Sequence, residues 1–133
     1  MKFTTALFVL AFVTIVTAIT EEQRKKAREH MQVCSQEIGL PAERVANLRK
    51  GDFANADDKT QCFVDCFFKK VGFMDSNGVF QDKVAVEKLS EGESDPSKVK
   101  QVVDKCKGES GAGKCETAFK IYQCSYLARA EIL

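Results

Sequence analysis

Between Ala27 and Ala128 apolar residues recur every three or four positions, in segments parted by short polar or glycine-bearing breaks. That is the periodicity of amphipathic helices, and no segment shows the strict alternation of a half-buried strand. Ala27, Met31, Cys34 and Ile38 share a face, Thr20-Glu21-Glu22-Gln23 has the form of an N-terminal cap, and Gly39 supplies a stop. A first helix of about 18 residues is predicted. Pro41 sits where proline is tolerated, at the first position of a short second helix in which Val45 and Leu48 share a face and which Gly51 ends. From Asp57 or Asp58 to Val71, closed by Gly72, the apolar residues Cys62, Phe63, Val64, Cys66, Phe67, Phe68 and Val71 cover more than half the circumference at about 100° per residue. Such a helix must be central and largely buried. Met74 to Gly78 is turn chemistry, with Asn77-Gly78 suited to positive φ. A fourth helix is expected from Gln81 to Leu89, carrying Val84, Val86 and Leu89. Asp95-Pro96 caps a fifth, striped by Val99, Val102, Val103 and Cys106. Gly108, Gly111 and Gly113 mark a loop, and a sixth helix is expected from about Lys114 to Ala128, with Cys115, Ala118, Phe119, Tyr122 and Tyr126 on one face.

The first residues break this pattern. Lys2, the apolar run Ala6 to Val16 and the small-residue end Val16-Thr17-Ala18 read as a secretory leader cleaved after Ala18, because an apolar run this short does not span a bilayer. Residues 19–133 then form one domain, long enough to bury roughly 65% of its unfolded surface. Of 20 basic and 19 acidic residues only Lys2 lies in the leader, so the remaining chain is neutral. Nothing in that balance suits a nucleic-acid partner, and Arg24-Lys25-Lys26 and Lys69-Lys70 read as solvated helix faces.

The six cysteines all follow the leader, and in an oxidising compartment an even count reads as three disulfides. Their spacing is not that of zinc sites. Cys62 and Cys66 lie one turn apart on a predicted helix and cannot pair without distortion. Cys115 and Cys124, read as one helix, are about 13 Å apart along its axis. Excluding those two pairs leaves ten of the fifteen possible connectivities open.

The pattern Cys34-x27-Cys62-x3-Cys66-x39-Cys106-x8-Cys115-x8-Cys124, in a short helical chain with a leader, resembles the six-cysteine signature of insect odorant-binding proteins across essentially the whole mature length. The resemblance implies the interlaced pairing Cys34–Cys66, Cys62–Cys115 and Cys106–Cys124. It also implies an all-α, six-helix, disulfide-stapled single domain enclosing a hydrophobic cavity, and a secreted carrier of odorants, pheromones or fatty acids. Residues offered to line that cavity are Met31, Val45, Leu48, Phe63, Phe67, Phe68, Met74, Phe80, Leu89, Val103, Phe119, Tyr122 and Tyr126. On the residues alone the same set is equally a solid core. Methionine suits a cavity that accepts several shapes. Tyr122, Ser125, Tyr126, Arg129 and Lys120 are polar groups available to orient a head group, such as the carboxylate of a long-chain fatty acid. Implied partners are a small hydrophobic ligand and a membrane chemoreceptor, for a monomer or weak dimer. Ile132 and Leu133 are expected to cover part of the opening, the nine residues after Cys124 being too few to fill the cavity, and His30 reads as structural rather than as a pH switch.

Other chemistry is not supported. Aligning Gly78 with the glycine of an EF-hand loop puts Phe73 and Val84 at the two end ligands. No hydrolase, metalloprotease or phosphate-loop motif occurs, no sequon for N-glycosylation, and no cofactor is expected. The reading from another class is a saposin-like membrane-interacting or defence protein, which the neutral charge and the different cysteine spacing disfavour.

Overall fold

The computed structural model describes residues 21–54 and 56–132, with the side chain of Ile132 excepted. The expected leader, the Thr20 cap and the expected cover of Ile132 and Leu133 over the opening lie outside the described residues. The regular elements of the described residues are helices: α1 (residues 21–38), then α2 (Ala42–Arg49), α3 (Asp58–Val71), α4 (Asp82–Ser90), α5 (Pro96–Cys106) and α6 (Glu116–Ile132). Among the described residues extended pairing is limited to a single antiparallel bridge, Met74 with Phe80. That bridge closes the turn the sequence predicts, where the Asp75 carboxylate accepts from the amides of Asn77 and Val79, both at 2.9 Å.

Local signals set most boundaries. The Asp57 carboxylate caps α3 by accepting from the Thr60 amide, and Gly72 ends the helix in the left-handed region at φ 86°. Asp95 caps α5 through the amide of Ser97, with Pro96 at the first turn. The expected bounds of two helices, α2 and α6, need correction. Pro41 is the cap residue of α2 rather than its first helical residue. Helix α6 begins at Glu116, not Lys114, because the Glu116 carboxylate folds back to accept the amides of Ala112 and Gly113 and so starts the helix there. It also runs on past Ala128, where the sequence offers no glycine or proline to stop it. Cys115 therefore stands in the turn ahead of α6 instead of on the helix that carries Cys124.

The centre of the molecule is α3 against α6, with α5 packed on α6 and α4 on α5. The main core gathers Cys34, Leu40, Leu48, Phe63, Val64, Phe68, Met74, Ala118, Phe119 and Ile121. A second cluster of Ala85, Val99 and Val103 joins α4 to α5, flanked by Phe73 and Phe80. Disulfides Cys34–Cys66, Cys62–Cys115 and Cys106–Cys124 tie α1 to α3, α3 to the turn before α6, and α5 to α6. No disulfide reaches α2 or α4, since neither contains cysteine. Those two are held by weaker ties. Arg44 of α2 reaches Asp57 at 3.2 Å and donates to the Thr60 hydroxyl at 2.8 Å, and Lys88 of α4 donates to the carbonyl of Val71.

Candidate ligand chamber

A chamber of about 370 Å³ lies between the central pair and the α4–α5 layer. Helix α3 is apolar over so much of its circumference that it serves both the core and the chamber: Phe63 points into the core, Phe67 and Phe68 toward the cavity. The turn after α3 adds Phe73 and Phe80, whose rings join that of Phe68 at centroid distances of 5.6 and 6.4 Å. Opposite stand Ala85 and Leu89 of α4 and the valine stripe Val99, Val102 and Val103 of α5. Helix α6 contributes Ile121, Tyr122, Ser125, Tyr126 and Arg129, and the ends of α2 and of the α4–α5 loop contribute Arg49 and Glu93. The exposed members of this lining are Arg49, Leu89, Glu93, Tyr126 and Arg129, and they mark its mouth.

The polar groups at that end are largely committed. The Tyr122 hydroxyl donates to the Leu48 carbonyl at 2.9 Å and the Tyr126 hydroxyl to the Lys50 carbonyl at 2.7 Å. The Tyr126 hydroxyl thus satisfies the Lys50 carbonyl at the C-terminal end of α2, the Tyr122 hydroxyl joins the Gly51 amide on the Leu48 carbonyl, and both fasten α2 to α6. Ser125 donates to the carbonyl of Ile121, one turn back, at 2.7 Å. Phe53, from the loop after α2, wedges edge-on against Phe119, Tyr122 and Tyr126 with centroids 5.7 to 5.9 Å apart. Burial pushes the Tyr122 phenol above its ordinary pKa, reinforced by Tyr126 and opposed by the charges of Arg49 and Arg129. It stays protonated and neutral across the physiological range.

Of the residues the sequence offered for the lining, Phe67, Phe68, Phe80, Leu89, Val103, Tyr122 and Tyr126 come together around the chamber. Leu48, Phe63, Met74 and Phe119 sit in the solid core, with Met31 and Val45 packed against it. Lys120 faces elsewhere, paired with Glu116 at 3.4 Å. The lining also takes Phe73, Ala85, Val99, Val102 and Ile121, of which the sequence announced Val99 and Val102 as members of an apolar stripe. Nothing in the pattern pointed to Arg49 or Glu93. Among the described residues no group of three His, Cys, Asp or Glu side chains is placed to hold a metal ion, and no helix is long and apolar enough to cross a membrane. What the arrangement can do is enclose an elongated apolar molecule and meet its end with charge.

Comparison with known proteins gives a concordant picture. The PBP/GOBP family profile matches residues 17–128. General odorant-binding protein 56a of Drosophila melanogaster is 37% identical over 121 residues, which is 90% of this chain and 84% of that protein. Among solved structures, the fatty acid binding protein OBP56a from the oral disk of the blowfly Phormia regina superposes with a TM-score of 0.68 at 40% identity, over 84% of this chain and 95% of that one. Odorant binding protein 5 of Apis mellifera gives a TM-score of 0.71 at 26% identity, over 84% and 92%.

Proposed function

The chain belongs to the PBP/GOBP family, and from that premise and the apolar chamber we propose that it is a secreted carrier that takes up one small hydrophobic molecule, shields it from water and moves it through an extracellular fluid. The observation that carries this reading is the chamber itself: about 370 Å³ walled by phenylalanine, valine and leucine, inside the range of about 300 to 1,000 Å³ typical of small-molecule sites. An unfilled apolar volume costs about 24 cal/mol per Å³, and a guest removes that cost together with its own exposed surface. Three disulfides, each contributing about 2 to 4 kcal/mol, support a shell stable enough to keep such a space. The same disulfides and the leader reading of residues 1–18 support secretion. The blowfly relative, described as fatty acid binding, supports fatty acids as one guest class. A carrier without catalytic activity, acting as a monomer or weak dimer and handing its guest to a membrane chemoreceptor, completes the proposal. Membership of this family replaces the saposin-like alternative.

The test is binding of N-phenylnaphthylamine, with one-to-one stoichiometry, and its displacement by long-chain lipids. Val103→Phe, which grows a ring into the chamber from α5, should abolish uptake while leaving the helical circular-dichroism spectrum intact. Unchanged uptake by a folded V103F variant would put the guest somewhere else.

A further inference from the structure

The walls of the chamber are apolar, so any choice between guests of equal length falls to the mouth, where the polar groups divide into spent and unspent. A phenol or alcohol carries one proton to donate, and those of Tyr122, Ser125 and Tyr126 already go to the carbonyls of Leu48, Ile121 and Lys50. Using any of them for a guest would break a hydrogen bond already made, and for Tyr126 would also loosen the tie between α2 and α6. Two guanidinium groups remain. Arg49 lies between Leu48 and Lys50, the two residues whose carbonyls hold the tyrosines, and Arg129 lies three residues beyond Tyr126 and seven beyond Tyr122, on the same face of α6. Both line the chamber, and the charge of each opposes the rise in the Tyr122 pKa. Among the described residues neither arginine makes an ion pair, whereas Arg44, Lys69, Lys70, Lys105 and Lys120 each have an acid within 4 Å. Glu93 is the one acid of the lining. Two cations and one anion leave a single positive charge at the mouth, which one carboxylate would neutralise.

We propose that Arg49 and Arg129 form a two-armed clamp at the chamber mouth that selects long-chain carboxylates over neutral lipids of the same length, the chain lying along Phe67, Phe68, Phe73 and Phe80. This deepens the carrier reading and rests on it. A guanidinium meets a carboxylate through paired N–H donors in a fixed fork, and neither an ester nor an alcohol offers a matching charge. Glu93 stands against the same anion and sets the upper limit of the preference.

Displacement of N-phenylnaphthylamine by palmitic acid, methyl palmitate and hexadecanol tests it. The unaltered protein should favour the acid by about tenfold or more, the effect of a charge-assisted hydrogen-bond pair. R49Q/R129Q should bring the three affinities within about twofold of one another while those for ester and alcohol stay put; R49K/R129K should keep part of the preference, since the charge survives and the fork does not. E93Q should strengthen acid binding alone, and K120Q, outside the chamber, should change nothing. Equal affinity for all three lipids in the unaltered protein overturns the clamp and leaves the carrier reading standing. So does a loss in R49Q/R129Q that falls equally on acid, ester and alcohol, which would make the arginines structural. Failure of all three lipids to displace the probe overturns both.

Discussion

Gly51 is the residue at which backbone and chamber constrain each other most closely. Its φ of +87° favours glycine, and a β-carbon there would run into the ring of Tyr126. Gly51→Ala should therefore cost more than the roughly 1 to 2 kcal/mol of a left-handed residue, release the Tyr126 hydroxyl from the Lys50 carbonyl, and weaken probe binding; urea unfolding and N-phenylnaphthylamine titration read the two effects. Charge acts at the same scale. The Asp57 carboxyl is held below its ordinary pKa first by the Thr60 amide, then by the Thr60 hydroxyl and Arg44, and Glu116 by the amide of Gly113 and the charge of Lys120. Depressed acids give stability that is present above their unfolded values and lost as pH falls through the folded ones. Tyr122 shifts the other way, so what it contributes is intact up to about pH 10 and lost as pH rises toward its folded value. The thermal midpoint should thus drop below about pH 4 and again above about pH 10. A midpoint that went on rising toward pH 3 would contradict the first half. The residue scale is also where the sequence is least legible. Phe63 and Phe67 are one helical turn apart with the same chemistry, yet one is core and the other wall, because the difference is made by which neighbour faces each, not by the residue. Arg49 carried no signal at all, being an ordinary charge on a short helix until α6 is folded against it.

Elements were far more readable, for a physical reason: caps, stops and apolar stripes are local. Asp57 with Gly72, and Asp95 with Pro96, bound α3 and α5 as their chemistry dictates. The start of α6 escaped because Glu116 reaches back to the amides of Ala112 and Gly113, an interaction that depends on how a glycine-rich loop folds. Crosslinks belong to this scale too. The Cys62–Cys115 bridge closes a separation of 53 residues, Cys34–Cys66 one of 32, and Cys106–Cys124 one of 18. If restriction of the unfolded chain dominates, replacing both partners by serine should destabilise in that order, with about 1 kcal/mol between the extremes. Guanidinium unfolding of the three double variants measures it, and the reverse order would assign the effect to native packing instead.

At the scale of the whole molecule, class and crosslink count were legible in the sequence, while the existence of an interior space was not, since volume depends on how six helices stack. That space sets an expectation for guests: within a series of fatty acids each added methylene should tighten binding by about 0.8 kcal/mol, roughly fourfold, until the chamber is full. A series without such a plateau would mean that the chain does not lie inside. The distribution of crosslinks has one more consequence. Helix α4 forms a wall with Ala85 and Leu89 yet holds no cysteine, and rests on α5 through a small apolar cluster and on α3 through Lys88. The walls supplied by α3, α5 and α6 are riveted; this one, apart from an exposed Asp82–Lys107 pair at 3.9 Å, is only leaned in place. Passage in and out should then run past α4, so that dwell time follows how often this helix swings rather than how well the guest fits. Amide hydrogen exchange in residues 82–90 should outpace that of α3 and α6 in the empty protein and slow when a guest is added, and equal protection across all the helices would argue against such a door.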